Sequence, residues 1–298
     1  MALAAISAHQ IVMVTFAFAF GLVVGSFLNV CIWRLPRGES ISHPSGSHCP
    51  RCKEPLRGLD NIPLLSFLLL GGRCRYCGDR ISWRYPIVEG LTGLLYVLLY
   101  LFQRIHAGTN PGHVLAMGLV IALLVAASGV DFEFLIIPDE ISLYGLLGGL
   151  LAGAVMPGLH VGNAPYHTLR PLVGIAPIDG LIGALIGAIG GGGLVLLFAV
   201  MGALVFRKEA MGLGDVKLMA MVGAFLGWKV ALIAFFLAPF FGLVYGLPLL
   251  LLKDEHTMPY GPFLSGGAVL TILLRGALCE MLNRYLEVLK QLVALLIP

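Results

Sequence analysis

The chain has 298 residues, 58% of them hydrophobic and only 12% charged, with a formal net charge of +3. Its mean hydropathy is +0.94. A soluble domain carries about 25% charged residues, so this chain lacks the polar surface to stay in water, and so small a net charge gives no argument for a nucleic-acid partner.

Several stretches have the roughly 20 apolar residues that cross a bilayer. The first expected span covers residues 9–33. It has no basic n-region and no small-residue cleavage site, so it reads as a retained span rather than a removed signal peptide. Its end, Gly25-Ser26-Phe27-Leu28-Asn29-Val30, has the small and polar residues that suit helix contacts inside a bundle. A polar loop, 34–84, follows. The second span, 85–103, contains Glu89, and the third, 112–130, ends at Asp131. The fourth begins after Pro138 and reaches residue 156. Residues 157–177 are rich in Gly, Pro and His and read as a loop. The fifth span, 178–206, is expected to bend at the glycine run 190–193. Arg207-Lys208-Glu209 then leads to Met211-Gly212-Leu213-Gly214-Asp215-Val216-Lys217-Leu218, where an aspartate stands directly behind a Gly-x-Gly turn. A short sixth span, 216–228, a seventh, 230–252, and an eighth, 259–274, complete the set. The tail 282–298 reads as an amphipathic helix on the membrane surface. The expected fold is all-α: a polytopic membrane protein of about eight transmembrane helices with a small cytoplasmic zinc-binding loop. The expected domains are a first helix (1–33), that loop (34–85) and a transmembrane core (86–298).

Lys and Arg concentrate on the cytoplasmic side of membrane proteins. The first loop holds Arg34, Arg37, Arg51, Lys53, Arg57, Arg73, Arg75, Arg80 and Arg84, and alternate loops add Arg207, Lys208, Lys217 and Lys253. The first loop is therefore expected in the cytoplasm and the N-terminus outside, with Asp131 and Asp215 both at the cytoplasmic face.

Within that loop stand Cys49-Pro50-Arg51-Cys52 and Cys74-Arg75-Tyr76-Cys77. Two C-x-x-C pairs about twenty residues apart fit a tetrahedral zinc site with four cysteine ligands, which leaves no open position and makes the metal structural. The other reading is two redox dithiols or disulfides, which a cytoplasmic location disfavours. Cys31 and Cys279 lie in apolar context and read as core residues.

A carboxylate inside a membrane needs a reason, since an Asp at a helix centre costs roughly 2.5–3.5 kcal/mol. Two carboxylates sharing one proton can cleave a peptide, one activating water and the other polarising the carbonyl. Asp131 and Asp215 are the expected pair. Their bland alternatives are a solvated loop acid and a helix N-cap. Helix ends alone assign Asp215, opening a helix, as base and Asp131, closing one, as acid. Asp139 follows Pro138 and is expected to cap the fourth span. Glu133 reads as a loop charge and Asp179 as a helix-start acid. Glu89 reads as a bundle-facing acid or the partner of a loop arginine. His160 and His167 are given no ligand role.

Taken together, these pieces resemble the type IV prepilin peptidases, bacterial leader peptidases of the Gly-x-Gly-Asp aspartyl class. The resemblance rests on Gly25 to Val30 with Arg34-Leu35-Pro36, on the two C-x-x-C pairs, and on Asn61-Ile62-Pro63-Leu64-Leu65-Ser66 with Leu70-Gly71-Gly72. It continues through Arg84-Tyr85-Pro86-Ile87-Val88-Glu89, Asp131 with Ile137-Pro138-Asp139, Gly212 to Lys217, and Pro259-Tyr260-Gly261-Pro262-Phe263. A lone Gly-x-Gly-Asp is weak, but seven ordered motifs are specific. The resemblance implies an inner-membrane enzyme that cuts a short basic leader from prepilins and pseudopilins, with Asp131 and Asp215 as dyad. Gly212, Gly214, Lys217, Pro138, Asp139 and Glu89 would support them. It also implies N-methylation of the new N-terminus from S-adenosylmethionine, linked to the zinc loop, and Gly72 is the nominated donor-site residue. Partners would be the lipid bilayer and pilus or secretion machinery, and Glu133, Asp139, Asp254 and Glu255 are candidate attractors of the basic leader. The segment 157–177 is longer than the connector the family would lead one to expect. A peptidase without methyl transfer, a proton-relaying transporter and a zinc-bearing scaffold are the competing readings.

Overall fold

The structure, a computed structural model, describes residues 8–43, 46–105, 111–162, 167, 169–207, 211–252 and 258–296. The chain divides into two compact units, Met1–Ile105 and His106–Pro298. The described residues form helices and no named strand.

In the first unit, α1 (Ala8–Arg34) lies along α3 (Arg84–Ile105), with a short helix α2 (Leu65–Leu69) in the intervening loop. The α1–α3 seam is close because the small residues expected to make helix contacts do so. A Cβ on Gly25 would stand 2.7 Å from the Cα of Glu89, and one on Gly21 would stand 2.8 Å from the Cα of Gly93. The loop is tied down by buried Arg34, which donates to the carbonyls of Ser40, Ile41 and Gly46 at 3.0, 2.9 and 3.1 Å.

The second unit contains α4 (Pro111–Phe134), α5 (Asp139–Val155), α6 (Ala176–Phe206), α7 (Leu213–Leu226), α8 (Trp228–Leu252), α9 (Gly261–Leu273) and α10 (Arg275–Leu296). Its most enclosed element is α7, whose Leu218, Met219, Met221, Val222 and Phe225 are all fully buried. Helix α6 runs as a single helix through the glycine run that was expected to bend it. The α6 glycines serve packing instead. The backbones of Gly187 and Gly223 touch, so that a Cβ on either would collide with the carbonyl of the other, and Gly192 admits the Cβ of Ala220.

All eight expected spans fall on helices. Five of these are long and apolar enough to cross a membrane: α1, α3, α4, α6 and α8. The count becomes six if α9 and α10, bent by 95° at their junction, form one broken span. Helices α5, α7 and α9, at 17, 14 and 13 residues, are shorter than a full crossing. The chain is thus a multi-pass membrane protein by length and composition. The amphipathic tail begins earlier than expected, at Arg275, and Met281, Tyr285, Val288 and Leu292 are exposed along it.

Candidate active site and metal centre

Asp131 sits in the last turn of α4, which continues to Phe134, so the aspartate is helical rather than a loop acid. It is 5% exposed, and its Oδ2 accepts a hydrogen bond from the backbone N–H of Gly261 at 2.9 Å. Asp215 is the third residue of α7 and 8% exposed. It is not the N-cap; Gly212 holds that position, and Gly214 belongs to the first helical turn. The two carboxylates lie within electrostatic reach of each other. Ile137 is the shared spacer. A Cβ on Gly214 would stand 3.2 Å from the Ile137 Cβ, and one on Gly261 would stand 3.1 Å from its Cδ1. The Gly-x-Gly is therefore a packing device in which the missing side chain admits Ile137. The closest approach to a carboxylate is made by a different glycine: a Cβ on Gly261 would stand 2.8 Å from Asp131 Oδ2. Tyr260, the N-cap of α9, also lies within electrostatic reach of Asp215.

Asp139 does not cap α5. Pro138 occupies the N-cap without a side-chain cap, and Asp139, the first helical residue, pairs instead with Lys217 of α7 at 2.6 Å. The pair ties the start of α5 to the helix that carries Asp215. Glu133 is exposed near the end of α4. Asp254 and Glu255 lie outside the described residues. Asp179, in the first turn of α6, accepts the N–H groups of Leu172, Val173 and Gly174 and so organises the loop before its helix. His160 is fully buried beside the end of α5.

In the first unit, the Sγ atoms of Cys49, Cys52, Cys74 and Cys77 all lie within 4.8 Å of one another, with Cys49 and Cys77 at 3.9 Å. A tetrahedral four-thiolate site with metal–sulfur bonds of about 2.3 Å separates its sulfurs by about 3.8 Å, so the cluster has the dimensions to hold a metal ion. The two halves repeat one backbone pattern. Cys49 N–H donates to Glu54 and Cys74 N–H to Asp79, while the carbonyls of Cys49 and Cys74 accept from Lys53 and Gly78. Lys53 and Gly78 occupy the same place in each half, and both are left-handed, with φ of 63° and 70°. Arg51 of one half pairs with Asp79 of the other at 2.7 Å. Backbone N–H groups of Cys77 and Tyr76 pull the Cys74 thiol down to about 7, whereas Cys52 is pushed up to about 12 and Cys77 upward, burial and the neighbouring thiols outweighing their backbone hydrogen bonds.

Comparison with known proteins places the chain in a family. Residues 19–103 match the bacterial peptidase A24 N-terminal domain, and residues 118–247 match the type IV leader peptidase family. A prepilin leader peptidase/N-methyltransferase from Aeromonas salmonicida is 37% identical, over 83% of this chain and 86% of that one. The chain belongs to the type IV leader peptidase family. A type 4 prepilin-like proteins leader peptide-processing enzyme from Escherichia coli is 35% identical, over 86% and 91% of the two chains. A Bacillus subtilis prepilin leader peptidase/N-methyltransferase is 32% identical, over 88% and 94%. No solved structure matches the chain.

As a leader-peptidase family chain, it keeps the remaining expected residues in well-defined places. Glu89 is 7% exposed and takes the bundle-facing role, accepting the N–H of Leu64 at 2.9 Å and the hydroxyl of Ser26. Gly72 sits in a turn at φ 68°, with the Phe67 ring 3.3 Å from the place a Cβ would take. Cys31 and Cys279 are buried, as expected for core residues. Sequence reasoning missed two partners. Gly261 lay inside a quoted motif without a role, because a backbone N–H donor has no side-chain signature. Asp60, held in a bidentate bond by Arg75 next to Cys74, has no motif around it that marks it in the sequence. Its pairing with Arg75 holds the Asp60 carboxyl below the usual carboxylate range.

Proposed function

We propose that this chain is a membrane-embedded aspartyl endopeptidase that removes the basic leader from type IV prepilins and pseudopilins and N-methylates the new N-terminus. Its place would be the bacterial inner membrane, with the dyad at the cytoplasmic face and pilus or secretion machinery downstream. The observation that carries the reading is the burial of Asp131 and Asp215 within reach of each other, with the Gly261 N–H on Asp131.

The Gly261 bond bears on the roles. Hydrogen bonds to a charged acceptor contribute about 1.5–3 kcal/mol, against about 0.3–1 kcal/mol for a helix end. The N–H occupies Oδ2 of Asp131 and leaves Oδ1 to take a proton from water. Asp131 is accordingly assigned as base and Asp215 as the acid that polarises the scissile carbonyl, the reverse of what the helix ends alone imply. Water adds to the carbonyl carbon as its proton passes to Asp131. The C–N bond then breaks as the leaving amine takes the proton that Asp131 accepted from water, which returns Asp131 to its starting state.

The four cysteines would hold a structural zinc, which closes the loop without entering the chemistry. S-adenosylmethionine would supply the methyl group: the freed N-terminal amine forms an N–C bond as the methyl–sulfur bond breaks, and a proton goes to solvent. Glu133, exposed near the end of α4, is assigned to attract the basic leader, whereas the Asp139 carboxylate is already matched by Lys217.

The test is incubation of the purified protein with a prepilin and S-adenosylmethionine, read by intact mass. Leader loss in wild type and none with Asp131→Asn or Asp215→Asn is expected, together with one added methyl. Cleavage retained in either variant removes that residue from the mechanism.

A further inference from the structure

The loop of the first unit carries an exposed apolar surface centred on α2. Leu59, Leu68, Leu69 and Trp83 are each at least 70% exposed, and Ile62 and Leu65 are exposed beside them. Helix α2 has only 5 residues, and isolated helices shorter than about 12 residues are marginal in water. Its support comes from behind. The carboxylate of Glu89, buried in α3, accepts the N–H of Leu64 at 2.9 Å, and Leu64 stands at φ 60°, costly for a residue with a side chain. The Phe67 ring packs on Trp83 at 5.0 Å between centroids and lies 3.3 Å from the place a Cβ on Gly72 would take. A buried charge and a strained backbone are both unfavourable, and here both fix a helix whose leucines are left uncovered.

That surface is continuous with a stripe on a membrane-spanning helix. Trp83 immediately precedes α3, and Ile87, Leu91 and Leu94 follow it at helical spacing, all exposed. Helix α3 is long and apolar enough to cross a membrane, so the stripe starts where the bilayer starts, and Trp is enriched at that boundary. The Phe67–Trp83 contact joins α2 to the stripe. Charge lies one turn further on. After Gly71 and Gly72, both left-handed, the chain enters the second knuckle, whose base pairs Arg73 with Arg80 in an antiparallel bridge. Residues directly opposite in such a bridge project to the same side, where like charges are destabilising. Both arginines are exposed, and among the described residues neither belongs to an ion pair, unlike Arg51 and Arg75. Bare leucines beside two like charges match a partner that is apolar in depth and anionic at its surface, which is the chemistry of an acidic phospholipid leaflet.

We propose that α2 is a membrane anchor: Leu65, Leu68 and Leu69 enter the leaflet in which α3 begins, and Arg73 and Arg80 bind the phosphates of anionic lipid there. The anchor seats the four-cysteine centre on the bilayer surface, since Cys74 directly follows Arg73. Glu89 is a positioning residue for it, acting through the N–H of Leu64.

The experiment replaces Leu68 by a benzophenone amino acid in the full chain, reconstituted with a prepilin in vesicles of equal parts phosphatidylglycerol and phosphatidylcholine. The irradiated protein is read by intact mass, which separates lipid adducts by headgroup and both from adducts to protein. The same amino acid in place of Leu94, exposed on α3, is the reference. The expected result is a lipid adduct at position 68 in a yield comparable to position 94, with phosphatidylglycerol exceeding phosphatidylcholine by at least about twofold. Arg73→Gln combined with Arg80→Gln should abolish that excess and leave the total yield. Crosslinks from position 68 mainly to the prepilin, to a second copy or to another part of this chain overturn the anchor, as does no adduct there while position 94 is labelled. Equal headgroup yields in the parent, or an excess that survives the double substitution, overturn the role of the two arginines.

Discussion

Replacing Gly261 by alanine tests the dyad without touching either aspartate. The new methyl would stand 2.8 Å from Asp131 Oδ2, 3.1 Å from Ile137 Cδ1 and 3.3 Å from Asp131 Cγ. A carbon–oxygen approach under 3.0 Å does not persist, so either the carboxylate rotates away or the start of α9 withdraws. Both movements break the Gly261 N–H bond to Asp131. Losing a hydrogen bond to a charged group costs about 1.5–3 kcal/mol, which corresponds to a fall in kcat of about 10- to 150-fold. The assay is leader removal followed by intact mass at saturating prepilin, with methylation of a pre-cleaved substrate as the measure of intact folding. Cleavage should fall while methylation persists. Wild-type kcat in Gly261→Ala would refute the claim that this N–H supports the reaction.

The four cysteines have the dimensions to hold a metal ion, and for a metal-bound centre a strong chelator should raise hydrogen exchange across 47–81 while α7 stays protected, because the ion would join two otherwise separate knuckles. Unchanged exchange in the stripped protein would show that the loop folds without it. Burial depresses the His160 imidazole to about 4 from an ordinary 6.5. The unfolded chain therefore binds the proton first, and stability should decline by about 3 kcal/mol as pH falls from 6.5 to 4. His160→Gln should flatten that slope in thermal unfolding scans, and parallel slopes would contradict it. Lys217→Ala removes a partly exposed ion pair with Asp139, side chains 36% and 55% exposed. It should therefore cost at most about 1 kcal/mol, and a larger drop in Tm than that allows would show the pair to be structural.

The helices were legible because apolar runs of bilayer length leave few alternatives, and the four cysteines because two short spacings define a tetrahedron. The approach of Asp131 to Asp215 was legible only as chemistry: two costly carboxylates at helix ends on one face. What sequence concealed were roles that belong to backbone and to long-range partners. Gly261 acts through an N–H that every residue but proline owns. Asp139 looked like a local cap, yet its partner Lys217 is 78 residues away. The glycines of α6 were read as a bend because a glycine run weakens a helix in isolation. In the structure they weaken nothing; they are where neighbouring helices come closest.

Helix α7 is poorly suited to enter a membrane alone. Its 14 residues span about 21 Å at 1.5 Å per residue, against a hydrocarbon core of about 30 Å, and its first turns carry Asp215 and Lys217. A translocon has little reason to release such a segment into lipid. The backbone seam between Gly187 and Gly223 offers α6, made just before it, as a ready partner, so that the segment bearing Asp215 would be carried in by its neighbour during synthesis. A Gly223→Val chain is then expected to leave a reporter cysteine in α7 open to a membrane-impermeant thiol reagent. Equal protection in the parent and variant would mean that α7 finds its own way. Biogenesis, as much as catalysis, would then be what those two glycines serve.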